Sequence, residues 1–496
     1  METDMKRTSV KTDPYPSRSS RRRNGSLPGA RVALWTCDWD ECENPAARRT
    51  GDCMLCDRHL CRLHLREPWH RCPKPEENWE AYSQLFAAAE ARYVDDLCRR
   101  IDTPKLCSIA SELRGGVPCT VEWTRAALSA MMGNQNCHAE IAFDDGVRWI
   151  ARFRLVKVSS PPPEVRRRIL RSEVATMTFL RRHTRVPVPQ IFGWACECDP
   201  ANVLGVSYIL MEKLTGKPLD WEEASSAERE KIIKQLAEIF LELEKHPFSS
   251  TGSLDFSAAG SADFEVRGYA HHALFPSRCG DPLGPFPSWR QACEATTHFY
   301  ISMIASGEVD AYSPVDAFLA HRFRLDILDE MDICSPSRFY LKHPDDKGDH
   351  ILVNDSYDII GIIDWEWARI VSKEEAFSSP CLMWPVGEFY DGLNDLCPEE
   401  LQLAKVFSQR GRQDLADCVL HGRKIQRFLF CMGPDVSVLD KKTFTDLFMG
   451  MERLFSSGKE AWEQWRIFAL EKWKDDETLR ILVEKGQMED RRNQPS

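Results

Sequence analysis

The chain has 496 residues, 43% of them hydrophobic, with 65 Lys and Arg against 76 Asp and Glu and a formal net charge of −11. That length exceeds a typical single domain and suits two or three, while the acidic balance argues against a general nucleic-acid binder and suits cationic or neutral ligands. No run of about 18 apolar residues suggests a membrane span, and the polar start METDMKRTSVKTD lacks the apolar stretch of a secretory signal, so the 19 cysteines are expected to be reduced or metal-bound in a cytoplasmic protein.

In chain order, residues 1–30 are rich in Ser, Arg, Lys and Pro around Arg21-Arg22-Arg23 and offer little to bury, which predicts a disordered basic tail and leaves a nuclear address open. Residues 31–76 carry the densest local signal: Cys37, Cys42, Cys53, Cys56, Cys61, His64, His70 and Cys72, spaced C-x4-C-x10-C-x2-C-x4-C-x2-H-x5-H-x-C. Structural zinc takes four Cys or His ligands, so eight of them predict two structural zinc ions. A segment this short cannot bury enough apolar surface to fold alone, and metal binding would supply its folding free energy. The series resembles the AN1-type zinc finger, with a first spacing of four residues where many members have two. The resemblance implies interleaved sites, Cys37, Cys42, Cys61 and His64 on one ion and Cys53, Cys56, His70 and Cys72 on the other. It also implies a protein-binding role. His59 falls outside the series and is expected at the surface.

After Pro73-Lys74-Pro75, residues 77–125 read as a helical linker, with apolar positions from Trp79 to Ile101 at helical spacing. Residues 126–214 alternate like a small β-rich lobe. Gly133 opens a candidate phosphate loop, then Ala139, Ile141 and Phe143, the turn Asp144-Asp145-Gly146 and Trp149–Leu155 read as a hairpin, with Arg152 on one face of its second strand. A helix over Glu164–His183 puts Glu173 on one stripe with Ile169, Met177 and Leu180, and a carboxylate on an apolar stripe needs a partner. Val206–Met211 is an apolar strand running into Glu212-Lys213-Leu214. Further helices are expected over Ala224–Lys245, Trp289–Ile304, Glu399–Ser408, Gln413–Phe430 and Phe444–Val483, in a lobe spanning 215–480 before a flexible tail at 481–496. The pair His271-His272 is expected to face solvent or be satisfied locally.

The stretch FYLKHPDDKGDHILVNDSYDIIGIIDWEWA, from Phe339 to Ala368, carries the chemistry. Ile351–Val353 and Ile359–Ile363 read as a hairpin that brings Asp345 and Asp364 to one end. Two such carboxylates are a minimal kit for phosphoryl transfer, one to orient the attacking hydroxyl and one to hold a hard cation. His343, Asp345, Ile351-Leu352-Val353 and Ile362-Ile363-Asp364-Trp365-Glu366 resemble the signature of the aminoglycoside phosphotransferase family, H-G-D-x-x-x-x-N-I-L-V followed by I-I-D-W-E. The resemblance implies a protein-kinase-like two-lobed α+β fold, magnesium and ATP as cofactors, and a small hydroxyl-bearing substrate. Asp345 would be the catalytic base and Asp364 the magnesium ligand. Arg152, held by Glu173, would contact phosphates, and Met211–Leu214, with Lys213, would form the adenine hinge. Pro344 replaces the family's glycine, and His350 stands where its asparagine would hold a second metal. Asp349 is the expected oxygen ligand in its place. Two readings therefore stand side by side: an ATP-dependent small-molecule phosphotransferase, and a pseudokinase scaffold that binds partners through its finger.

Overall fold

The structure, a computed structural model, describes residues 35–257, 263–276, 281–331, 333, 338–430, 436, 438–456 and 461–493; the predicted tail over residues 1–30 lies outside them. At the N-terminal end, β1 (Asp52–Cys53) and β2 (Arg58–His59) pair antiparallel. The interior there holds little beyond Cys37, Leu60 and Cys61, with Trp39, Cys42 and Leu65 against them. His59 is not at the surface as expected but 4% exposed. Its ring pairs with Asp52 across the β1–β2 turn and its amide donates to Asp38 at 2.6 Å, so the imidazole is buried with its polar atoms served.

Asn78 caps α1 (Trp79–Arg100) by accepting from Ala81 N at 3.0 Å, and Asp102 caps α2 (Thr103–Leu113) from Lys105 N at 3.2 Å. The expected linker is instead part of the first lobe. Its last residues form β3 (Cys119–Val121), the edge strand of a five-stranded antiparallel sheet. After α3 (Arg125–Ala130) come β4 (Asn136–Phe143), β5 (Arg148–Arg154), α4 (Pro163–His183), β6 (Ile191–Ala195) and β7 (Tyr208–Glu212), in sheet order β3-β4-β5-β7-β6. Side chains alternate across β5. Trp149, Ala151 and Phe153 pack under Val94, Leu97, Leu106 and Leu128 from α1, α2 and α3, which is why these helices belong to the lobe. Ile150, Arg152 and Arg154 point the other way, toward α4 and the second lobe.

The second lobe contains β8 (Lys217–Pro218), α5 (Ser226–Glu244), β9 (Ser253–Phe256), β10 (Phe264–Arg267), α6 (Trp289–Ser306), α7 (Pro314–Asp326), β11 (Phe339–Lys342), β12 (Ile351–Val353), β13 (Ile359–Ile362) and β14 (Arg369–Ser372). A capping box of Ser225 and Glu228 starts α5, and Gly307 at φ +81° ends α6. The predicted catalytic hairpin is present as β12 against β13, with β8 on the other edge of β12, while β11 pairs with β14. The helices α8 (Lys373–Phe377), α9 (Val386–Tyr390), α10 (Pro398–Gln409), α11 (Gln413–Leu420), α12 (Gly422–Phe430), α13 (Lys441–Glu452), α14 (Trp462–Lys472) and α15 (Glu477–Asn493) complete it.

Two long helices expected here are broken. Residues 413–430 split at His421, where Gly422 packs so close to Ser378 that a Cβ would lie 3.1 Å from that residue's Cβ. Residues 444–483 do not form one helix: α13 ends at Glu452, α14 spans Trp462–Lys472 and α15 begins at Glu477, after Asp475-Asp476. Nor is 481–493 a loose tail. Asp476 accepts from Thr478 N at 2.9 Å to start α15, whose Leu479 and Leu482 are 3% and 5% exposed. Trp462, Trp465 and Trp473 are buried core, as expected. The whole is a protein-kinase-like α+β fold, a small sheet-rich lobe over a large helical one. Among the described residues no helix is long and apolar enough to cross a membrane.

Candidate functional site

The site forms where β5, α4, the loop over residues 343–350 and the turn after β13 meet. Arg152 on β5 and Glu173 on α4, 6% and 2% exposed, form a buried ion pair. The same guanidinium reaches Asp364 Oδ1 at 3.4 Å through Nη1. Asp364 sits in the left-handed region at φ +60°, a conformation that costs a non-glycine residue energy and is concentrated at functional sites. Its side chain stays 54% exposed in the cleft. Burial pushes the Glu173 carboxyl up, assisted by Glu366 and Asp364 and opposed by Arg152. Burial pulls Arg152 down, but the three carboxylates outweigh it and hold the guanidinium protonated.

A second pair lies one strand step along: Arg154, on the same face of β5, bonds Glu366, which is 5% exposed, and donates to Gln135 Oε1 at 3.1 Å. Counting Arg152 and Arg154 against Glu173, Asp364 and Glu366 leaves one uncompensated negative charge, an arrangement suited to a cation. The role of Arg154 went unread in the sequence, although period-2 alternation from Arg152 points to it.

On the catalytic loop, His343 donates through Nε2 to Ile363 O at 3.0 Å, stacks on His350 at 4.1 Å between ring centroids, and meets Trp365 edge-on at 4.8 Å. Gly348, at φ +110°, turns the loop between Asp345 and His350. Lys347 Nζ bridges Asp345 at 3.3 Å and Asp349 at 3.6 Å, a cation not anticipated from sequence. Burial raises the Asp345 carboxyl above the usual range, against the pull of Lys347. His350 is 8% exposed, burial pushes it down to about 2, and its Nδ1 is buried without a hydrogen-bond partner 3.9 Å from Asp349.

Of the remaining expected nucleotide contacts, Gly133 lies in the loop between β3 and β4, its amide donating to Asn136 O at 2.8 Å, and α3 occupies much of that loop. Met211 is half-buried at the end of β7, and the Lys213 ammonium pairs with Glu140 of β4. His271 and His272 are half-buried, stacked on each other and edge-on to Trp367, with His271 Nδ1 accepting from Ala273 N at 3.2 Å.

Magnesium usually binds through one or two carboxylates together with substrate phosphates. Exposed Asp364 and Asp349 suit that role, whereas the buried His350 nitrogen does not. Among the described residues, only two groups of three or more His, Cys, Asp or Glu stand within coordinating reach, and the catalytic-loop acids form neither.

Those two groups are Cys37, Cys42, Cys61 and His64, and Cys53, Cys56, His70 and Cys72, the two interleaved ligand sets expected. In the first, Cys42 and Cys61 Sγ lie 3.9 Å apart and His64 Nδ1 lies 3.4 Å from both Cys37 and Cys61 Sγ. Tetrahedral zinc, with bonds of about 2.3 Å to sulfur and about 2.0 Å to nitrogen, requires separations of about 3.8 and 3.5 Å. In the second, hydrogen bonds with Cys56 and Cys72 hold the Cys53 thiol down while Cys56 is pushed up by Cys53 and Cys72: packed this closely, the thiols compete for protons that a cation would displace.

Residues 134–371 match the family model described as the phosphotransferase enzyme family. Two subtelomeric hrmA-associated cluster proteins of Aspergillus fumigatus are 38% identical over 85 residues, 17% of this chain and 16% of each relative. Altered inheritance of mitochondria protein 9 of Candida glabrata is 31% identical over 107 residues, 18% of this chain and 16% of that protein. The chain thus spans under a fifth of these relatives. Similar solved structures include a candidate aminoglycoside phosphotransferase of Ralstonia eutropha, 16% identical with a TM-score of 0.43 over 71% of this chain and 98% of that one. Another is aminoglycoside phosphotransferase APH(4)-Ia with ADP and hygromycin B, 14% identical with a TM-score of 0.40 over 72% and 99%.

Proposed function

We propose that the chain is an ATP- and magnesium-dependent phosphotransferase acting on a hydroxyl of a small molecule, fused to an AN1-type double-zinc finger. The observation that carries this reading is the meeting of Arg152, Glu173 and Asp364, from a strand, a helix and a turn far apart in sequence, beside the loop that holds Asp345. Arg152 offers a charged fork to nucleotide phosphates, and Glu173 fixes its direction. Asp364 and Asp349 would hold magnesium, which neutralises phosphate charge when bound. Asp345, raised by burial, accepts the proton of the substrate hydroxyl as its oxygen bonds to the γ-phosphorus and the bond from that phosphorus to the bridging oxygen breaks. Met211 to Leu214 form the adenine hinge.

The test is metal-dependent binding of ATP by calorimetry. Asp364→Ala should weaken it about tenfold or more, and Asp345→Ala should leave affinity nearly unchanged while abolishing turnover, because one group holds metal in the ground state and the other acts on the attacking oxygen. Equal losses of affinity in both variants would refute the assignment. One observation favours a second reading, a non-catalytic scaffold: the buried, unpartnered nitrogen of His350 where an oxygen ligand would serve magnesium. Nucleotide affinity without turnover on any hydroxyl compound would support it.

A further inference from the structure

The zinc module is packed onto the two elements that build the nucleotide site. Trp35, 6% exposed, lies in a small apolar cluster with Val165 and Ile169 of α4, Phe275 and Trp367. Ile169 precedes Glu173 by one helical turn on the same face, and Trp367, itself at φ +68°, follows Asp364 by three residues. One side chain of the module therefore shares an apolar cluster with the helix that carries Glu173 and with the turn that carries Asp364.

Two further contacts fix the module in place. The Arg48 guanidinium sits over the Trp35 ring at 4.0 Å and donates to Glu308 through Nε at 3.1 Å and Nη2 at 2.9 Å. Nη1 donates to His272 O at 3.4 Å, and the Arg48 amide donates to Glu308 O at 2.8 Å. Beside the Cys53–Cys56 ligand pair, Asp57 accepts from Tyr93 Oη at 2.7 Å and Met54 O from Arg92 Nη2 at 3.4 Å, both donors on α1. Meanwhile α4 begins at Pro163 with no side-chain hydrogen bond at its N-cap, and its first turns are held by the apolar contacts of Val165 and Ile169 together with the Arg166–Glu197 pair. A buried ion pair such as Arg152 with Glu173 contributes favourably only at good geometry, and a displacement of about 1 Å in a positioning group costs catalysis heavily.

We propose that the zinc module is a brace for the nucleotide site: Trp35 and Arg48 are positioning residues that hold α4 and the Asp364–Trp367 turn, and zinc occupancy is transmitted through them to Arg152. The proposal rests on the phosphotransferase reading for what the site binds, while the bracing itself is measurable without it.

The experiment is hydrogen–deuterium exchange on full-length, zinc-loaded protein, comparing wild type, Trp35→Ala, Trp35→Phe and wild type stripped of zinc by a chelator, with zinc content measured in each. Trp35→Ala should keep about two zinc ions per chain. Its amides over residues 165–180 and 364–370 should exchange about tenfold faster or more, with those of α10 unchanged. Trp35→Phe should restore protection, and the chelated wild type should reproduce the alanine pattern. Affinity for a non-hydrolysable ATP analogue with magnesium should fall about tenfold in parallel. Unchanged exchange in α4 for both Trp35→Ala and the chelated protein overturns the brace. If Trp35→Ala itself loses zinc, the chelated wild type decides alone. Exchange that responds in a wild type that binds no nucleotide leaves the brace standing and removes the phosphotransferase reading.

Discussion

At position 350 the chain places an imidazole that is buried, neutral and stacked on His343, with a free Nδ1 beside Asp349. A nitrogen ligand serves magnesium poorly, and the neighbouring carboxylate on a loop that Gly348 makes pliable serves it well. Asp349→Ala should therefore lower magnesium-dependent ATP binding about tenfold or more, roughly 1.4 kcal/mol, and His350→Asn should be neutral or raise it, both read by calorimetry. The Arg154–Glu366 pair gives a second prediction. Its side chains are 10% and 5% exposed, so Glu366→Leu strands a buried guanidinium and should cost about 3–5 kcal/mol in urea unfolding, most of which Arg154→Met combined with Glu366→Leu should return. Glu173 was legible from the apolar stripe of its helix, and Arg152 from the place that the family resemblance gives a phosphate-contacting residue. Arg154 was equally periodic, but nothing local to it names Glu366, 212 residues away.

Among the elements, the Cys- and His-rich segment has the least secondary structure. Two strands of two residues each and a handful of buried side chains cannot offset chain entropy, so under the double-zinc reading the ligands would carry the fold. Cys56→Ser should empty the Cys53, Cys56, His70 and Cys72 site, leaving about one zinc per chain by elemental analysis, and should disorder β1 and β2 while the thermal transition of the large lobe persists. That eight ligands suffice for two sites was readable from the sequence, and which four go together followed from the resemblance to the AN1-type finger. That β3 belongs to the first sheet was not, because a three-residue strand carries too few alternations to stand out between helices. The break at His421 was hidden for the opposite reason: apolar spacing continues across it, while Gly422 packs closely on Ser378.

Across the molecule, several histidines are buried in neutral form. His321 is 2% exposed, accepts from Arg324 Nη1 at 3.1 Å and stacks on Tyr300, and burial, with Arg324 second, holds it well below its ordinary range. The half-buried His272 is pushed down to about 4 by desolvation, and desolvation holds His271 well below its ordinary range. Each binds a proton less readily folded than unfolded, so the stability it contributes is present above the unfolded value near 6.5 and is lost as pH falls below it. The urea midpoint should drop between pH 7 and pH 5, with His321 accounting for up to about 2 kcal/mol at pH 5. His321→Phe should flatten that dependence, and a midpoint that rises on acidification would contradict it.

What the sequence by itself determined is what local spacing can encode: eight Cys and His ligands in one short segment, the β12–β13 hairpin with Asp345 and Asp364 at its end, and the helix that carries Glu173 on an apolar stripe. Each is specified within a short window, by ligand spacing or by a period of 2 or 3.6 residues. Tertiary structure alone decided which surfaces meet: Arg154 with Glu366, Trp35 against α4 and Trp367, Arg48 with Glu308. These pairs join residues more than a hundred positions apart, so their choice depends on how every intervening element packs and not on any pattern in the residues that flank them.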